Sequence, residues 1–500
     1  MNHFKALLMP ITPGVYIEEI NSSAPGVEQM DLSIPVFIGY TQKAGRRGKS
    51  LLRVPVKITS LKEYISWFGH RFKPCFTISN NATANTSSLL LNNRPVTLQY
   101  AAHNQLYLYQ AVALFFLNGG RSCYILSTGF YGQRTEQAIN ADDFLGSKKL
   151  SPVFRKLEVE PEPKLIVLPD VAADQEAAIR IYKQVLALCA DTGNHFAIFD
   201  LCQSPTPSAA IDVQTFRDGI GNEYLEYGAA YYPWLQTDLV EMNEVNFTNL
   251  DPQVSLEKLL QPVDVLVKKQ LLKIAPGISP TRQKNIHLAL LSSSIPYQQL
   301  IKAIHQQMNL VPASGAIAGM YAATDHTRGI WKAPANVRIL GALAPSIQLS
   351  DQQQQALLSD NATGKFINAI RQFSNGRTVL WGTRTLAGNN NEWRYIPVRR
   401  TCMMLQQSIG SAMENLVFEP NTIATWKRLK AMVENFLTRL WRQGALIGAK
   451  PEEAFHVAIG PGSSMTATDM AEGRLRMQVM VALLKPAEFL VIKFEQIQHT

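Results

Sequence analysis

The strongest constraint on the fold is a strand–helix–strand pattern in the middle of the chain. Residues 165–168 and 195–201 are short apolar runs that are typical of buried strands. Residues 175–190, between them, have the apolar spacing of an amphipathic helix. Two strands joined through a helix are parallel neighbours in a sheet that helices cover. The pattern therefore predicts an α/β domain.

A long amphipathic helix is predicted near the C-terminus, within residues 419–449. Its apolar side chains recur at steps of three and four residues and share one face: Trp426, Leu429, Val433, Phe436 and Leu440. At about 100° per residue, Arg428, Arg439 and Arg442 fall together on the opposite side. The apolar face predicts packing against a core, whereas the basic face is exposed either to water or to an anionic partner.

The residues around this helix differ in pattern from the strand–helix–strand region. Strands are predicted at residues 378–381, 393–398, 455–459, 475–484 and 489–494, with another helix at about 401–416. Strands interleaved with two helices predict an α+β module. Residues 77–97 are rich in Asn, Ser and Thr and are predicted to form an exposed loop.

Charge and cysteine usage limit the class of protein. The 500-residue chain has a net charge of +9, and residues 376–450 hold eight Arg and three Lys against four Glu, a local charge of +7. Such an excess suits a nucleic acid, a membrane surface or an acidic protein as the binding partner.

The five cysteines are far apart, which indicates free thiols rather than disulfides or a zinc site. No apolar run approaches the roughly 20 residues that span a bilayer, and no secretory signal is recognisable, so we expect synthesis in the cytoplasm.

The motifs of nucleotide binding and catalysis are incomplete. Residues 45–50 (GRRGKS) end like a phosphate-binding loop, but Lys43 occupies the position of the first glycine. Asp170 and Asp200 lie at or near the carboxyl ends of predicted strands, where open α/β sheets place active sites. Neither aspartate has a partner histidine or a glycine fingerprint. We therefore expect no enzymatic activity, no catalytic residue, no metal site and no cofactor.

Two further polar clusters have alternative interpretations. Asp325, His326 and Arg328 lie close together after a Gly-rich stretch and indicate a polar turn or a helix cap more than a catalytic group. Residues 460–464 (GPGSS) are compatible either with an anion bound by backbone N–H groups or with a tight strand-to-helix turn.

A series of short motifs resembles contractile tail sheath proteins, the outer tube subunits of contractile phage tails and phage-tail-like injection systems. The motifs keep the order and spacing of that family from residue 13 to the end. They are PGVYIEE (13–19), VFIG (36–39), YYPW (231–234), PASGAIAGMYAATDHTRGIWKAPAN (312–336), GRTVLWGTRTL (376–386), YIPVRR (395–400), FEPN (418–421) and PAEF (486–489). Residues 43–160 and 236–290 match no such motif, and the family carries variable outer domains there.

The resemblance implies a multidomain fold of α/β and α+β type. The predicted organisation is an N-terminal extended arm and linker (1–25), an outer domain (26–160) with a variable insertion (43–105), a middle α/β domain with the βαβ unit (161–350), a helical bridge (351–375), and a C-terminal α+β inner domain (376–500) that ends in an extended strand.

The resemblance also implies a structural function. Sheath subunits stack as helical six-fold rings around an inner tube, and the metastable sheath contracts to drive the tube through a target envelope. The implied partners are other sheath subunits or sheath paralogues, the inner tube protein, and baseplate and tail terminator or cap proteins, with no nucleic acid and no direct membrane insertion. The implied location is the bacterial cytoplasm during assembly, within a particle that is either released or anchored.

The resemblance assigns roles to three groups of residues. The tube-facing group is Arg428, Arg439 and Arg442, flanked by Lys427 and Lys430. The strands that pair with neighbouring subunits comprise Val15, Tyr16, Ile17, Glu18 and Glu19 in the N-terminal arm, and Phe489, Leu490, Val491, Ile492, Lys493 and Phe494 at the C-terminus. In residues 312–336, a structural turn with close backbone approach is assigned to Gly315, Gly319, Trp331 and Pro334.

Without the resemblance, the residues are also compatible with other functions. A nucleic-acid-binding protein is favoured by the basic charge and predicts salt-sensitive DNA binding by the monomer. An α/β enzyme that uses the strand ends near Asp170 and Asp200 predicts a pocket with a base and a nucleophile. A sheath paralogue that does not contract, or that lies next to the baseplate, is an alternative within the family.

Overall fold

A computed structural model describes residues 26–79, 88–92, 94–101, 105–131, 139–146, 155–157, 160, 162–204, 208–275, 277–358, 364–414 and 416–486. The strands are β1 (Pro35–Thr41), β2 (Gly45–Arg46), β3 (Lys49–Ser50), β4 (Val56–Ile58), β5 (Phe76–Ser79), β6 (Ser88–Leu91), β7 (Arg94–Tyr100), β8 (Cys123–Phe130), β9 (Leu165–Val167), β10 (Phe196–Asp200), β11 (Gly228–Tyr232), β12 (Leu235–Thr237), β13 (Leu310–Val311), β14 (Val337–Arg338), β15 (Ala342–Pro345), β16 (Ile367–Gln372), β17 (Thr378–Trp381), β18 (Phe455–Ile459) and β19 (Met477–Val481).

The α-helices alternate with these strands. They are α1 (Leu61–Phe68), α2 (Leu108–Leu117), α3 (Ala141–Leu145), α4 (Gln175–Thr192), α5 (Ala209–Ile220), α6 (Leu256–Leu259), α7 (Val265–Leu271), α8 (Pro280–Ser293), α9 (Ile295–Met308), α10 (Ser314–Arg328), α11 (Asp351–Leu358), α12 (Ile396–Glu414), α13 (Ile423–Arg442), α14 (Pro451–Ala454) and α15 (Ala467–Ala471). Among the described residues, no helix has the length and apolar character that crossing a membrane requires.

The chain forms two compact units. The described part of the smaller unit consists of Ser408–Gly444, Gly448–Val481 and residues 26–28. The larger unit contains Gln29–Gln407 together with two short later stretches. The division therefore falls inside α12 and lies well beyond the predicted start of the C-terminal domain at residue 376.

A nine-stranded sheet is the centre of the larger unit, with the order β14-β17-β16-β11-β10-β9-β1-β8-β4. The six strands from β16 to β8 are mutually parallel. At the two ends of the sheet, β4 pairs antiparallel with β8 and β17 pairs antiparallel with β16, and β14 in turn pairs antiparallel with β17. Strands β1, β9, β10 and β11 are buried along their whole length. This is the composition expected of a parallel sheet that is covered on both faces.

The predicted strand–helix–strand pattern is confirmed. Strands β9 and β10 pair in parallel, and α4 connects them. Asp174 caps the start of α4 by accepting a hydrogen bond from the Ala177 N–H at 2.9 Å, and Gly193 ends the helix in the left-handed conformation. The predicted mixed α/β and α+β fold is confirmed as well.

The first predicted domain boundary falls inside this sheet. Strands β1 and β8 belong to the predicted outer domain and β9 to the predicted middle domain, but β1 pairs with both β8 and β9. Because strands pair across any distance in sequence, the change in composition near residue 160 does not mark a structural boundary.

The predicted helical bridge at residues 351–375 is wrong in its second half. Within its described residues, 351–358 and 364–375, only α11 is helical, whereas Ile367–Gln372 forms β16 between β11 and β17. The strand predicted at residues 393–398 is wrong too, since α12 begins at Ile396. In both places the secondary structure depends on contacts with residues that are distant in the chain, and the local sequence pattern does not predict those contacts.

Residues 77–97 are not one exposed loop. Strands β5, β7 and β6 form an antiparallel three-stranded sheet in that order. This sheet shares a separate hydrophobic core with α7, α8 and α9, to which Phe76, Val96, Val267, Leu290 and Ile301 contribute. The two stretches without recognisable motifs therefore fold together, and we call this part of the larger unit the side lobe.

Helices α2 and α10 approach each other unusually closely. A Cβ atom on Gly315 would lie 2.3 Å from the Ala111 carbonyl oxygen, and one on Gly319 would lie 2.5 Å from that of Phe115. Both glycines lie inside α10, so their assignment to a turn is wrong. Trp331 does lie in a turn after α10, and its ring packs over Gly329; Pro334 is buried in the irregular segment that follows.

The α2–α10 contact makes a prediction about stability. Gly315→Ala should lower the unfolding free energy of the unassembled subunit by about 2–3 kcal/mol, because the added methyl group meets backbone atoms that cannot move aside. Gly410→Ala is the matched control, since a Cβ atom there meets nothing within 4 Å in α12, and it should raise stability by about 0.5–1 kcal/mol. Thermal and urea denaturation measure both effects; equal stabilisation by the two changes would contradict the close contact.

Candidate functional site

Helix α13 is seated through the apolar face that its spacing predicts. Leu429, Val433, Phe436 and Leu440 are all buried, and α13 packs against β18. At the start of the helix, the Trp426 indole N–H donates to the Asn421 side-chain oxygen at 2.6 Å. Gly444, just after the helix, adopts a positive φ of 77°. The apolar face thus fixes which side of α13 is directed outwards.

The five tube-facing candidates on α13 differ in their contacts. Arg428 lies 3.3 Å from Glu419, and Lys430 lies 3.8 Å from Glu434. Arg439 donates to the Val27 carbonyl oxygen at 3.0 Å, and its guanidinium lies over the Phe436 ring. Lys427 and Arg442 are exposed and form neither ion pair nor hydrogen bond with the described residues.

The local charge of +7 does not form one surface. Arg384, Arg399 and Arg400 are buried in the larger unit, with relative exposures of 8%, 6% and 2%. Arg399 stacks over the rings of Tyr227 and Trp393. The positive charge available on α13 is therefore smaller than the sequence count suggests.

A two-stranded sheet is the second notable feature of the smaller unit. Strands β18 and β19 pair antiparallel from Phe455↔Val481 to Ile459↔Met477. No other described strand joins this sheet, so each of its strands has an outer edge without a β partner among the described residues. An isolated two-stranded sheet is marginally stable in water, and its open edges can accept another strand. The predicted pairing segments, residues 15–19 and 489–494, lie outside the described residues.

Asp170 is a helix cap in the larger unit. One carboxylate oxygen accepts hydrogen bonds from the backbone N–H groups of Tyr107 (2.5 Å) and Leu108 (2.8 Å) at the start of α2, and the other accepts one from Tyr40 (2.8 Å). Burial raises the pKa of Asp170 from 3.8 to about 6, although the three N–H donors act in the opposite direction.

Asp200 has the same role on the next strand. At the end of β10, it accepts hydrogen bonds from the N–H groups of Ala313 (2.8 Å) and Ser314 (2.9 Å) at the start of α10. Burial likewise raises the pKa of the Asp200 carboxyl to about 6. The two strand-end aspartates that an enzyme would use are thus engaged in anchoring α2 and α10 to the sheet.

The remaining polar clusters are also engaged in structural contacts. Asp325 forms a bidentate ion pair with the buried Arg400, at 2.5 and 3.0 Å. In residues 460–465 the N–H groups of Gly462, Ser463 and Ser464 donate to carbonyl oxygens of the same loop, which favours the tight turn over an anion site. Residues 45–50 form the exposed β2–β3 hairpin. No group of residues suited to a metal ion occurs among those that the structure describes.

One exposed feature is missed by the sequence analysis. Helix α7 buries Val267 on one side, yet Val265 and, directly after the helix, Leu272 are 78% and 76% exposed. The signal is present in residues 265–273 (VLVKKQLLK), where apolar residues fall on opposite sides of the helix.

The chain matches two protein-family models. Residues 162–386 match the phage tail sheath protein central domain, and residues 389–497 match the phage tail sheath C-terminal domain. A putative prophage major tail sheath protein of Pseudomonas aeruginosa (strain UCBPP-PA14) is 28% identical over 181 residues, which cover 35% of this chain and 44% of that protein. The tail sheath protein of Vibrio phage KVP40 is 26% identical over 179 residues, 34% of this chain and 26% of that protein. The chain thus matches less than half the length of either relative.

Two solved structures match almost the entire chain. The first is the sheath complex of an extracellular contractile injection system, PVC, in the contracted state, with a TM-score of 0.61, 26% identity, and coverage of 98% of this chain and 99% of that chain. The second is the helical sheath of the anti-feeding prophage (AFP) in the contracted state, with a TM-score of 0.60, 26% identity, and coverage of 98% and 100%.

The capping carboxylates predict a pH dependence of stability. Each has a higher pKa in the folded state than in the unfolded chain, so between pH 4 and 6 the folded state retains protons that the unfolded chain has released. The proton-linked part of the stability is therefore complete below about pH 4 and is lost as the pH rises through 6, by about 3 kcal/mol per carboxyl, while the hydrogen bonds to the N–H groups persist. Asp170→Asn should remove about 3 kcal/mol from the stability difference between pH 4 and pH 7.

The same variant should be less stable than the parent at pH 4, because the N–H groups of the new side-chain amide would face another donor, a backbone N–H such as that of Tyr40. Urea denaturation of the unassembled subunit at several pH values measures both effects. Asp218→Asn, in an exposed part of α5, controls for the loss of a surface carboxylate. An unchanged pH profile in Asp170→Asn would contradict the assignment.

Proposed function

Because the chain belongs to the phage tail sheath family, we propose that it is the subunit of a contractile sheath. Copies of the chain polymerise as helical six-fold rings around an inner tube, and the assembled sheath shortens to drive the tube through a target envelope. The observation that carries this proposal is the match over 98% of the chain to sheath subunits of PVC and AFP in their contracted state.

The open β18–β19 sheet supports assembly by strand addition. Residues 15–19 and 489–494 of neighbouring copies pair with its free edges and complete a larger sheet. Main-chain hydrogen bonds depend little on side-chain identity, so such a sheet holds neighbours together while the rest of each subunit rotates. The linker at residues 21–26 (NSSAPG) provides the hinge.

Contraction requires no nucleotide in this mechanism. The extended sheath stores free energy at assembly and releases it through a change between two packing arrangements of largely rigid subunits. The buried contacts of the larger unit suit a rigid body, since the sheet, α2 and α10 are joined by hydrogen bonds of the buried carboxylates Asp170 and Asp200. The protein acts as a structural component rather than an enzyme.

The outward side of α13 is the proposed contact with the inner tube. Lys427 and Arg442 are free among the described residues to pair with acidic groups of the tube. Arg428 and Lys430 lie beside them in exposed ion pairs with Glu419 and Glu434, which can exchange for acidic groups of the tube. Exposed ion pairs contribute on the order of 1 kcal/mol or less each. Such weak contacts guide assembly when they are repeated along a tube, and they still break when the sheath contracts.

The proposed partners follow from this role. They are other copies of the chain or sheath paralogues, the inner tube protein, the baseplate, and a terminator or cap protein. Assembly takes place in the cytoplasm of the producing bacterium, and the product is a phage tail or a phage-tail-like particle.

Strand addition predicts that the N-terminal arm is required for assembly. Deletion of the segment from Met1 to Ile20 should abolish tubes, since it removes residues 15–19, while the thermal unfolding midpoint of the single subunit stays unchanged. Deletion of the segment from Met1 to Pro10 is the control and should leave tube formation intact. Negative-stain electron microscopy of the purified chain gives the readout; normal tubes from the longer deletion would refute strand addition through this arm.

The tube contact predicts an effect of charge reversal. Lys427→Glu combined with Arg442→Glu should reduce the fraction of sheaths that contain a tube by several-fold when the tube protein is co-produced, because attraction becomes repulsion. Empty sheaths should still form. Lys258→Glu combined with Lys302→Glu makes the same charge change at exposed sites in the side lobe and should have no effect. Unaltered tube filling in the α13 variant would rule out this surface.

A further inference from the structure

Helix α7 in the side lobe has an unusual distribution of apolar residues. Val267 is buried in the lobe core at 3% exposure, as expected for the inner side. Val265, at the start of α7, and Leu272, which follows its last residue with helical backbone angles, lie about two helical turns apart on the outer side. Their exposures are 78% and 76%, and Leu266 is 62% exposed. A helix with apolar residues on both sides requires a partner for each side, and the described residues of the lobe cover only one.

Basic side chains surround these exposed apolar residues. Between Asp264 and Leu288 the chain has five Lys and Arg residues against one Asp. That aspartate accepts the Val265 N–H at 2.6 Å and caps α7. Lys268 and Lys269 are exposed on either side of the line from Val265 to Leu272. Lys268 also lies 3.7 Å from the exposed Glu257, a surface ion pair that contributes little and leaves the lysine accessible. The outer side of α7 is therefore both aliphatic and cationic.

The next helix repeats this combination. Helix α8 packs against α7 and buries Ile286 and Leu290. On its other side Lys284 and Leu288 lie one turn apart, both exposed, with Leu288 at 51%. We call the exposed residues of the two helices the lysine–aliphatic surface: Val265, Leu266, Lys268, Lys269, Leu272, Lys284 and Leu288.

We propose that the lysine–aliphatic surface binds the interface of an anionic lipid bilayer. The aliphatic side chains enter the boundary between headgroups and acyl chains, while the lysines contact the lipid phosphates. Long lysine side chains suit this position, because their methylene groups cover apolar surface and their ammonium groups reach the polar layer. The contact is peripheral, and neither helix crosses the membrane.

The composition of the lysine–aliphatic surface favours a lipid bilayer over a protein as its partner. Protein interfaces are enriched in Tyr, Trp and Arg and depleted in Lys. The lysine–aliphatic surface has the opposite composition and contains no aromatic residue. It also lacks the side-chain amides and hydroxyls that give directional recognition, whereas lipid headgroups require only charge and burial.

Polymerisation would make this weak contact effective. A few aliphatic side chains and lysines bind a membrane reversibly. When many copies are held on one rigid sheath, their contacts act together and the apparent affinity rises steeply. This amplification rests on the proposed function, whereas binding by the single subunit does not.

Co-sedimentation with vesicles tests the proposal. Sheath tubes of the full chain should sediment with vesicles of equimolar phosphatidylcholine and phosphatidylglycerol, and at least about tenfold less with phosphatidylcholine alone. Added salt should reduce the bound fraction. Val265→Ser with Leu272→Ser should lower the affinity at least about tenfold, and Lys268→Gln with Lys269→Gln should remove most of the salt dependence.

Ile211→Ser with Leu340→Ser is the matched control, because it removes two other aliphatic residues that are 58% and 44% exposed; it should bind vesicles like the parent. Equal binding to both vesicle types, or unchanged binding by Val265→Ser with Leu272→Ser, overturns the proposal. Loss of tubes in that variant also overturns it and assigns the surface to contacts between copies.

Electron microscopy of the same samples separates this proposal from the proposed function. Tubes that bind no vesicles overturn the lipid contact alone. Single subunits that bind anionic vesicles but never form tubes support the lipid contact and overturn the sheath assignment.

Discussion

The larger unit depends on two buried carboxylates at neighbouring strand ends. Asp170 and Asp200 accept backbone N–H groups at the starts of α2 and α10, and thereby satisfy donors that helix starts leave without partners. Once these helices are anchored to the same edge of the sheet, Gly315 and Gly319 allow their backbones to meet. The sheet and both helices then behave as one body, because a shift of either helix would leave a buried carboxylate or a buried N–H group without its partner.

Cationic side chains have two different roles in this chain. Some arginines of the larger unit are buried: Arg400 is paired with Asp325 and also donates to the Leu32 carbonyl oxygen at 3.0 Å. Its charge is neutralised in place and cannot attract a partner. On α13, Lys427 and Arg442 extend into solvent. Net charge therefore overstates the positive charge that this chain presents to a partner.

Local patterns predicted local structure well. The strand–helix–strand unit, the buried face of α13 and the caps of α4 depend on residues close in sequence, and each was predictable from spacing and turn chemistry. Strand β16 and the side lobe depend on distant partners: Phe76 reaches its core only because residues 240–308 fold beside it. The roles of Asp170 and Asp200 were hidden for the same reason, since the N–H groups that they bind lie on helices far away in the chain.

The candidate residues on α13 show why contacts between distant residues matter for function. Helical spacing places Arg428, Arg439 and Arg442 on one side of α13, but it does not show that Arg439 holds the Val27 carbonyl or that Glu419 faces Arg428. These contacts lower the charge available to a partner, so the proposed tube contact would consist of a few weak ion pairs at each repeat. Weak contacts fit the proposed role, because a stronger contact at each of many repeats would hold a tube in place. The division of cations between internal pairs and exposed ones thus fits a body that stays rigid while its outer contacts are exchanged.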